Sequence, residues 1–249
     1  MNEAIAQVMQ SANAYYGPGT LRTGGELRQN DLFFTGLHEL DTATGGIPFG
    51  RIVEIFGAES SGKTALADLI ARSAGETLYM DAERGLAHTA GITVMYPELL
   101  ENALQAVTIA APAFDAIVID TVAALPTKEE AAADMGDFHQ RSNTAVVLSR
   151  SLPRLVPVLL ENRCTLILVN QLRDKPEVMY GVPYRPTGGR AIKHYAALRI
   201  ETRRTEIVRQ CGECVGQKMY VKVCKNKYGA PFGMASMFLA YTGEWRAAA

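Results

Sequence analysis

The sequence predicts an α/β fold: a mostly parallel, twisted sheet with crossover helices, an edge of hairpin strands and a helical arm at the N-terminus. Three observations carry that expectation. From Arg51 onward, short apolar runs alternate with stretches of helical period, the pattern of parallel strands joined by helices. Beyond Ala197 the helical stretches stop and four strand-like segments follow one another. The chain has 249 residues, 48% of them hydrophobic, enough for one sizeable core with a small appendage.

Residues 2–16 place Ala4, Ile5, Val8, Met9, Ala12, Tyr15 and Tyr16 on one helical face, which requires an apolar partner on this domain or elsewhere. Gly17–Gly25 reads as a linker, so residues 1–30 are expected to form an arm and residues 31–249 the body. Within the body, strands are expected at Ile52–Phe56, Thr77–Asp81, Ala116–Asp120 and Thr165–Asn170, and helices at Lys63–Ala74, Pro97–Val107 and about Phe138–Asn162. Pro153 and Pro157 fall inside the last helix. Each removes an N–H and crowds the preceding turn, so a kink or break is expected there. Leu172–Lys193 has neither period and is broken by three prolines and three glycines. Loops of that length inside compact domains are usually functional. The closing strands are expected at Ala197–Thr202, Ile207–Arg209, Met219–Lys225 and Met237–Tyr241. No internal repeat or low-complexity segment is present.

Composition excludes several classes. The formal net charge of −1 excludes a wholesale basic protein but not a local basic patch. Such a patch occurs in the long loop, where Arg173, Lys175, Arg185, Arg190 and Lys193 stand against Asp174 and Glu177, an excess of +3. No apolar run reaches the ~18 residues of a membrane span, and the N-terminus lacks the basic and apolar regions of a signal peptide. Four cysteines do not make a disulfide framework in a chain of this size, so a cytoplasmic setting is expected. The pair Cys211 and Cys214 supplies two zinc ligands at most, where zinc takes four.

The strongest motif is "GAESSGKT", Gly57 to Thr64, between a strand and a helix. Gly57, Glu59, Ser60, Ser61 and Gly62 form a cradle whose backbone N–H groups turn toward phosphate oxygens, with the helix N-terminus adding its dipole. Lys63 reaches the terminal phosphates and the Thr64 hydroxyl holds Mg²⁺. Asp120 ends the apolar strand "AIVID", where it can sit behind the same ion. "LYMDAERG" runs into two acids, and spacing alone leaves Asp81 and Glu83 both as candidates to orient an attacking water.

These segments, with "TLILVNQLR", "TGGRAIKHYAALRIETRR" and "VKVCKNKYGAPF", occur in the order in which similar segments occur in the RecA family of recombinases. The resemblance runs from about Ala4 to Tyr241. It implies a RecA-like P-loop NTPase core that uses ATP and Mg²⁺. Glu83 resembles the glutamate that activates the hydrolytic water, and Gln171 the glutamine that senses the γ-phosphate. Lys225 and Lys227 resemble two lysines that reach ATP from the neighbouring subunit, and Tyr241 a tyrosine near the adenine. Lys128–Gln140 resembles the first DNA-binding loop and Leu172–Lys193 the second. In the second loop Arg173, Lys175, Arg185 and Arg190 are expected on phosphates, with Gly188 and Gly189 allowing close backbone approach. The N-terminal helix resembles the arm that docks on the next protomer.

The chain departs from the family pattern at Pro176 (an aliphatic wedge), Gln140 (a methionine), Ala90 (an adenine-stacking tyrosine) and His194 (a phenylalanine that relays the ATP signal). The family's C-terminal domain has no counterpart after Tyr241. The resemblance therefore implies a DNA-dependent ATPase that forms filaments on single-stranded DNA and promotes homologous pairing, with poor uptake of free duplex and reliance on a partner protein to deliver it. A non-catalytic module that modulates another recombinase filament is the alternative. A small-molecule kinase is disfavoured because no lid with phosphate-clamping arginines lies between the phosphate loop and Asp120.

Overall fold

A computed structural model describes residues 2–17, 19–21, 32–86, 90–133, 143–174, 184–186 and 189–247, with side chains described for all of these except 173, 174 and 184–186. The chain divides into two compact units, Met1–Asp31 and Leu32–Ala249.

The first unit holds helix α1, Glu3–Tyr16. Asn2 caps it by accepting the Ala4 N–H at 3.0 Å, and Gly17, at φ 104°, ends it. None of its residues is buried within the unit. Ile5, Val8, Tyr15 and Tyr16 are 53–82% exposed.

The second unit is built on one large sheet. After β1 (Leu32–Phe33), α2 (His38–Thr44) and β2 (Ile47–Pro48) come β3 (Ile52–Gly57), α3 (Lys63–Ala74), β4 (Thr77–Asp81), β5 (Thr93–Met95), α4 (Leu100–Ala110) and β6 (Ala116–Asp120). Then follow α5 (Lys128–Ala132), α6 (Thr144–Asn162), β7 (Thr165–Asp174), β8 (Tyr184–Pro186), α7 (Ala191–Tyr195), β9 (Leu198–Gln210), β10 (Glu213–Asn226), β11 (Met234–Ala240) and β12 (Trp245–Ala247). The strand order is β12-β11-β10-β9-β3-β7-β6-β4-β5, with β8 paired to β7. The ladders from β9 through β3, β7, β6 and β4 to β5 are parallel. Those joining β9 to β12 are antiparallel. The expected parallel body with a hairpin edge is therefore present.

The period of two sorts the central strands onto two cores. Val53, Ile55, Val118, Ile167 and Val169 pack against Leu66 and Ile70 of α3. Their neighbours Ile52, Ile117, Ile119, Leu166 and Leu168 pack against Leu104 of α4 and Leu148, Leu152, Leu155 and Leu159 of α6. One charged residue interrupts the apolar run of β3. Glu54 is fully buried, pairs with Arg199 of β9 and accepts from Asn170 Nδ2 of β7 at 3.1 Å. The Arg199 guanidinium also lies 4.6 Å from the Phe56 ring centroid, and its Nη2 is buried without a partner.

Several expected boundaries are corrected. Helix α4 begins at Leu100, not Pro97. Helix α6 is one continuous helix across Pro153 and Pro157. Both prolines, and Ser149 one turn before them, lie on the exposed side. The carbonyls that lose their donors therefore face water, and the core side keeps its packing. Strand β7 runs on to Asp174 and pairs antiparallel with β8, and α7 begins at Ala191, so the long loop carries a hairpin and the first turn of a helix. The segments expected at Ala197–Thr202 and Ile207–Arg209 are one strand, β9. Beyond Thr202 that strand pairs only with β10 and its own side chains are mostly exposed, so the apolar period fades.

Candidate functional site

The phosphate loop leaves the end of β3, turns through Ser60 (φ 56°) and Gly62 (φ 84°), and enters α3 at Lys63. One of its glycines, Gly57, is required by space, and another, Gly62, by its left-handed backbone. A Cβ on Gly57 would meet the Thr202 backbone oxygen at 2.3 Å, and one on Gly62 would meet Met219 Sδ at 2.3 Å. The loop is also tied sideways: Ser61 Oγ and Thr202 Oγ1 share a hydrogen bond of 2.8 Å.

Lys63 is buried and donates from Nζ to the carbonyl of Ala58 at 2.7 Å, within its own loop. Burial lowers its pKa, against the raising influence of Asp120, Glu83 and Glu59. Thr64 hydrogen-bonds to the Asp120 carboxylate, and Tyr79 OH donates to Asp120 Oδ2 at 2.7 Å. Desolvation nevertheless holds Asp120 above the usual carboxylate range, helped by the charges of Glu83 and Asp81 and opposed by those two hydroxyls. Burial, then Asp120, pushes the Tyr79 hydroxyl far up.

The geometry separates the two acids of the "MDAERG" segment. Asp81 is buried and accepts the backbone N–H groups of Gly85 and Leu86 at 3.2 and 3.0 Å, capping the turn after β4. Glu83 is exposed, and its Oε1 accepts from Thr121 Oγ1 at 2.9 Å and from Gln171 Nε2 at 2.9 Å. Among the described residues its Oε2 has no hydrogen-bond partner. Gln171 lies directly across from Gly57 in the β3–β7 ladder, which brings it beside the loop.

A cavity of about 490 Å³ opens beside the loop, in the range of small-molecule sites. Lys63, Thr64, Tyr241 and Trp245 are among its lining residues. Tyr241 therefore shares the loop's cavity, as do Ser60 and Gly62. Lys225 and Lys227 are not among the lining residues. Lys225 Nζ donates to the carbonyls of Lys193 and His194 at 2.7 and 2.9 Å, at the C-terminal end of α7. Burial, then Lys227 and Arg199, lowers its pKa. Lys227 lies beside Arg51 and Tyr195 in a small separate cavity.

The basic segment is described in part. Arg173 and Arg185 face each other in the β7–β8 ladder. Gly189 has φ 72°, and exposed Arg190 is the N-cap of α7. Lys175, Pro176 and Gly188 lie outside the described residues, as do Gln140 and most of Lys128–Gln140 beyond α5. No group of three or more metal-ligating side chains occurs among the described residues, and Cys211 and Cys214 are exposed at the β9–β10 turn. None of the described helices is long and apolar enough to cross a membrane.

Sequence reasoning missed Tyr79, Thr121, Trp245 and the Glu54–Arg199–Asn170 cluster. Two of these had a visible sign: Glu54 is the one acid in "IVEIF", and Thr121 is a hydroxyl directly after a strand-end aspartate.

The family model described as the RecA N-terminal domain matches residues 3–244. Relatives named Protein RecA include one from Clostridium botulinum (strain Eklund 17B / Type B), 37% identical over 96% of this chain and 72% of its own length. Another, from Acidothermus cellulolyticus, is 38% identical over 97% of this chain and 74% of its own. A third, from Clostridium beijerinckii, is 36% identical over 96% and 71%.

Proposed function

The chain belongs to the RecA family, and from that premise we propose that it is a DNA-dependent ATPase that polymerises on single-stranded DNA and promotes homologous pairing in recombination and repair. The observation that carries this reading is the 2.9 Å hydrogen bond from Gln171 to Glu83. It joins a carboxylate beside the phosphate loop to the strand that continues into the basic β7–β8 hairpin. One contact thus links the place where a phosphoanhydride would be cleaved to the place where nucleic acid would sit.

Loop amides and Lys63 bind the phosphates, Lys63 exchanging the Ala58 carbonyl for phosphate oxygens. The oxygen donors Thr64 and Asp120 fit Mg²⁺: a hydroxyl at a helix N-terminus touches a buried carboxylate that forms no ion pair among the described residues. They would hold the ion, which supplies charge neutralisation at the terminal phosphates. Thr121 and Gln171 fix Glu83 through Oε1, leaving Oε2 to take the proton of the attacking water. Lys225 and Lys227 act on the neighbouring protomer's nucleotide, and the exposed face of α1 contacts a second copy of the chain. Arg173, Lys175, Arg185 and Arg190 neutralise DNA phosphates, with Gly188 and Gly189 admitting the backbone.

ATP turnover measured with and without single-stranded DNA tests this reading. Stimulation by DNA is expected. Turnover indifferent to DNA refutes the coupling, and no turnover in either condition favours the non-catalytic module.

A further inference from the structure

We propose that Trp245 is the surface on which the base of the bound nucleotide stacks, so that the β11–β12 hairpin sets base recognition. The proposal rests on the nucleotide reading of the phosphate loop and adds to it a residue for which that reading has no role.

The cavity beside the loop is lined by two kinds of chemistry. Its lining combines Lys63 and Thr64, suited to phosphates, with two aromatic residues of the hairpin, Tyr241 and Trp245. A nucleoside triphosphate calls for the same two, charged at one end and planar and apolar at the other. The hairpin holds its rings firmly. Gly243 N–H donates to Ala240 O at 2.9 Å and Ala240 N–H to Glu244 O at 2.8 Å, and Gly243 sits at φ 92°. That is a tight turn closed by a left-handed glycine. Trp245 then pairs with Leu239, and its half-buried ring packs on the core shared with α3. Tyr241 stands on the turn, 52% exposed, its backbone N–H donating to Val215 O at 3.0 Å. The ring packed on the core is therefore the platform, with Tyr241 beside it at the rim of the same cavity. Every base has a π-face, so a platform of this kind favours large bases over small ones and distinguishes adenine from guanine weakly.

Trp245 is the only tryptophan of the chain, so intrinsic fluorescence reports this contact alone. The test titrates the full-length protein with Mg-ATP and with Mg-tripolyphosphate, which has the charges and no base. Affinities are read by calorimetry and ring contact by fluorescence. ATP is expected to change the tryptophan emission saturably, whereas tripolyphosphate binds without doing so. Trp245→Ala should weaken ATP about tenfold and leave tripolyphosphate unchanged, and Trp245→Phe should retain most of the affinity. If Trp245→Ala does not fold, the wild-type fluorescence and Trp245→Phe decide. Equal ATP affinity in wild type and Trp245→Ala, or the same emission change with both ligands, overturns the proposal. If neither ligand binds, the phosphate-loop reading falls and this proposal with it.

Discussion

Glu54→Gln changes one buried oxygen to a nitrogen, and the structure says why that is costly. Glu54 Oε1 accepts from Asn170 Nδ2 and Oε2 from Arg199 Nε, so both oxygens face donors. A glutamine amide can satisfy only one of them, and its NH₂ meets a donor at the other. Asn170 cannot relieve the conflict by flipping, because its Oδ1 already accepts the Gln171 N–H at 3.0 Å. Arg199, 7% exposed, is left as a buried cation without its anion. Breaking one side of such a pair costs about 3–5 kcal/mol. For a domain of this size that lowers the melting temperature by roughly 6–20 °C. The assay is thermal unfolding of the nucleotide-free protein followed by far-UV circular dichroism. A companion protein, Glu54→Leu with Arg199→Met, removes both charges and should recover most of the loss, since an apolar replacement of a whole pair is often neutral. A melting temperature within 2–4 °C of wild type for Glu54→Gln, about 1 kcal/mol, would refute the reasoning. So would a double variant as unstable as the single one, because the cost would then be packing and not unpaired charge.

Other outcomes follow from the site. Lys63→Ala should abolish ATP binding, whereas Glu83→Gln should bind ATP normally and hydrolyse it at least a hundredfold more slowly; unchanged turnover in Glu83→Gln would move the base elsewhere. Thr121→Val removes one of the two hydrogen bonds that hold Glu83, and should lower kcat about tenfold with KM nearly constant. A rise in KM alone would assign Thr121 to nucleotide binding. Mixing a Lys63→Ala chain with a Lys225→Ala chain should restore part of the DNA-stimulated turnover, and no recovery at any ratio would mean that each site is completed within one chain. Thiol labelling should separate the cysteines. Burial, then Asp115, pushes the Cys164 thiol up to about 12, so its thiolate fraction at pH 8 is on the order of 10⁻⁴, while Cys211 and Cys214 are exposed. Ellman's reagent should find Cys211 and Cys214 fast in the native protein, and a fast Cys164 would contradict its burial.

What was legible in the sequence is what neighbouring residues decide among themselves. The phosphate loop, its strand and its helix fit within 52–74, and Asp120 ends an apolar run that only a buried strand explains. What was not legible depends on register between distant strands. Gln171 meets Glu83 because β7 lies beside β3 with Gln171 opposite Gly57, a pairing no local period encodes. Tyr79 reads as one more apolar strand residue until β4 and β6 align and its hydroxyl reaches Asp120. The β9–β10 ribbon was misread for a related reason. Arg203, Arg204, Glu206 and Arg209 are charges on a strand held by one partner, where alternation carries no burial penalty.

Strand β9 also has a mechanical consequence. From Leu198 to Thr202 it is clamped between β3 and β10; from Thr202 to Gln210 it is held by β10 alone. Support for β9 falls from two neighbouring strands to one at Thr202. The phosphate loop is fastened there twice, by the Ser61–Thr202 hydrogen bond and by the glycine-only gap between Gly57 and the Thr202 carbonyl. The stretch beyond it, about 27 Å for eight residues at strand rise, stays backed by β10, which pairs with β11 as far as Gly216 opposite Val208, so only the last turn of the ribbon around the Cys211–Gly212 tip is two-stranded. A load at that tip is therefore shared with β10 and β11 before it reaches Thr202 and the loop fastened there.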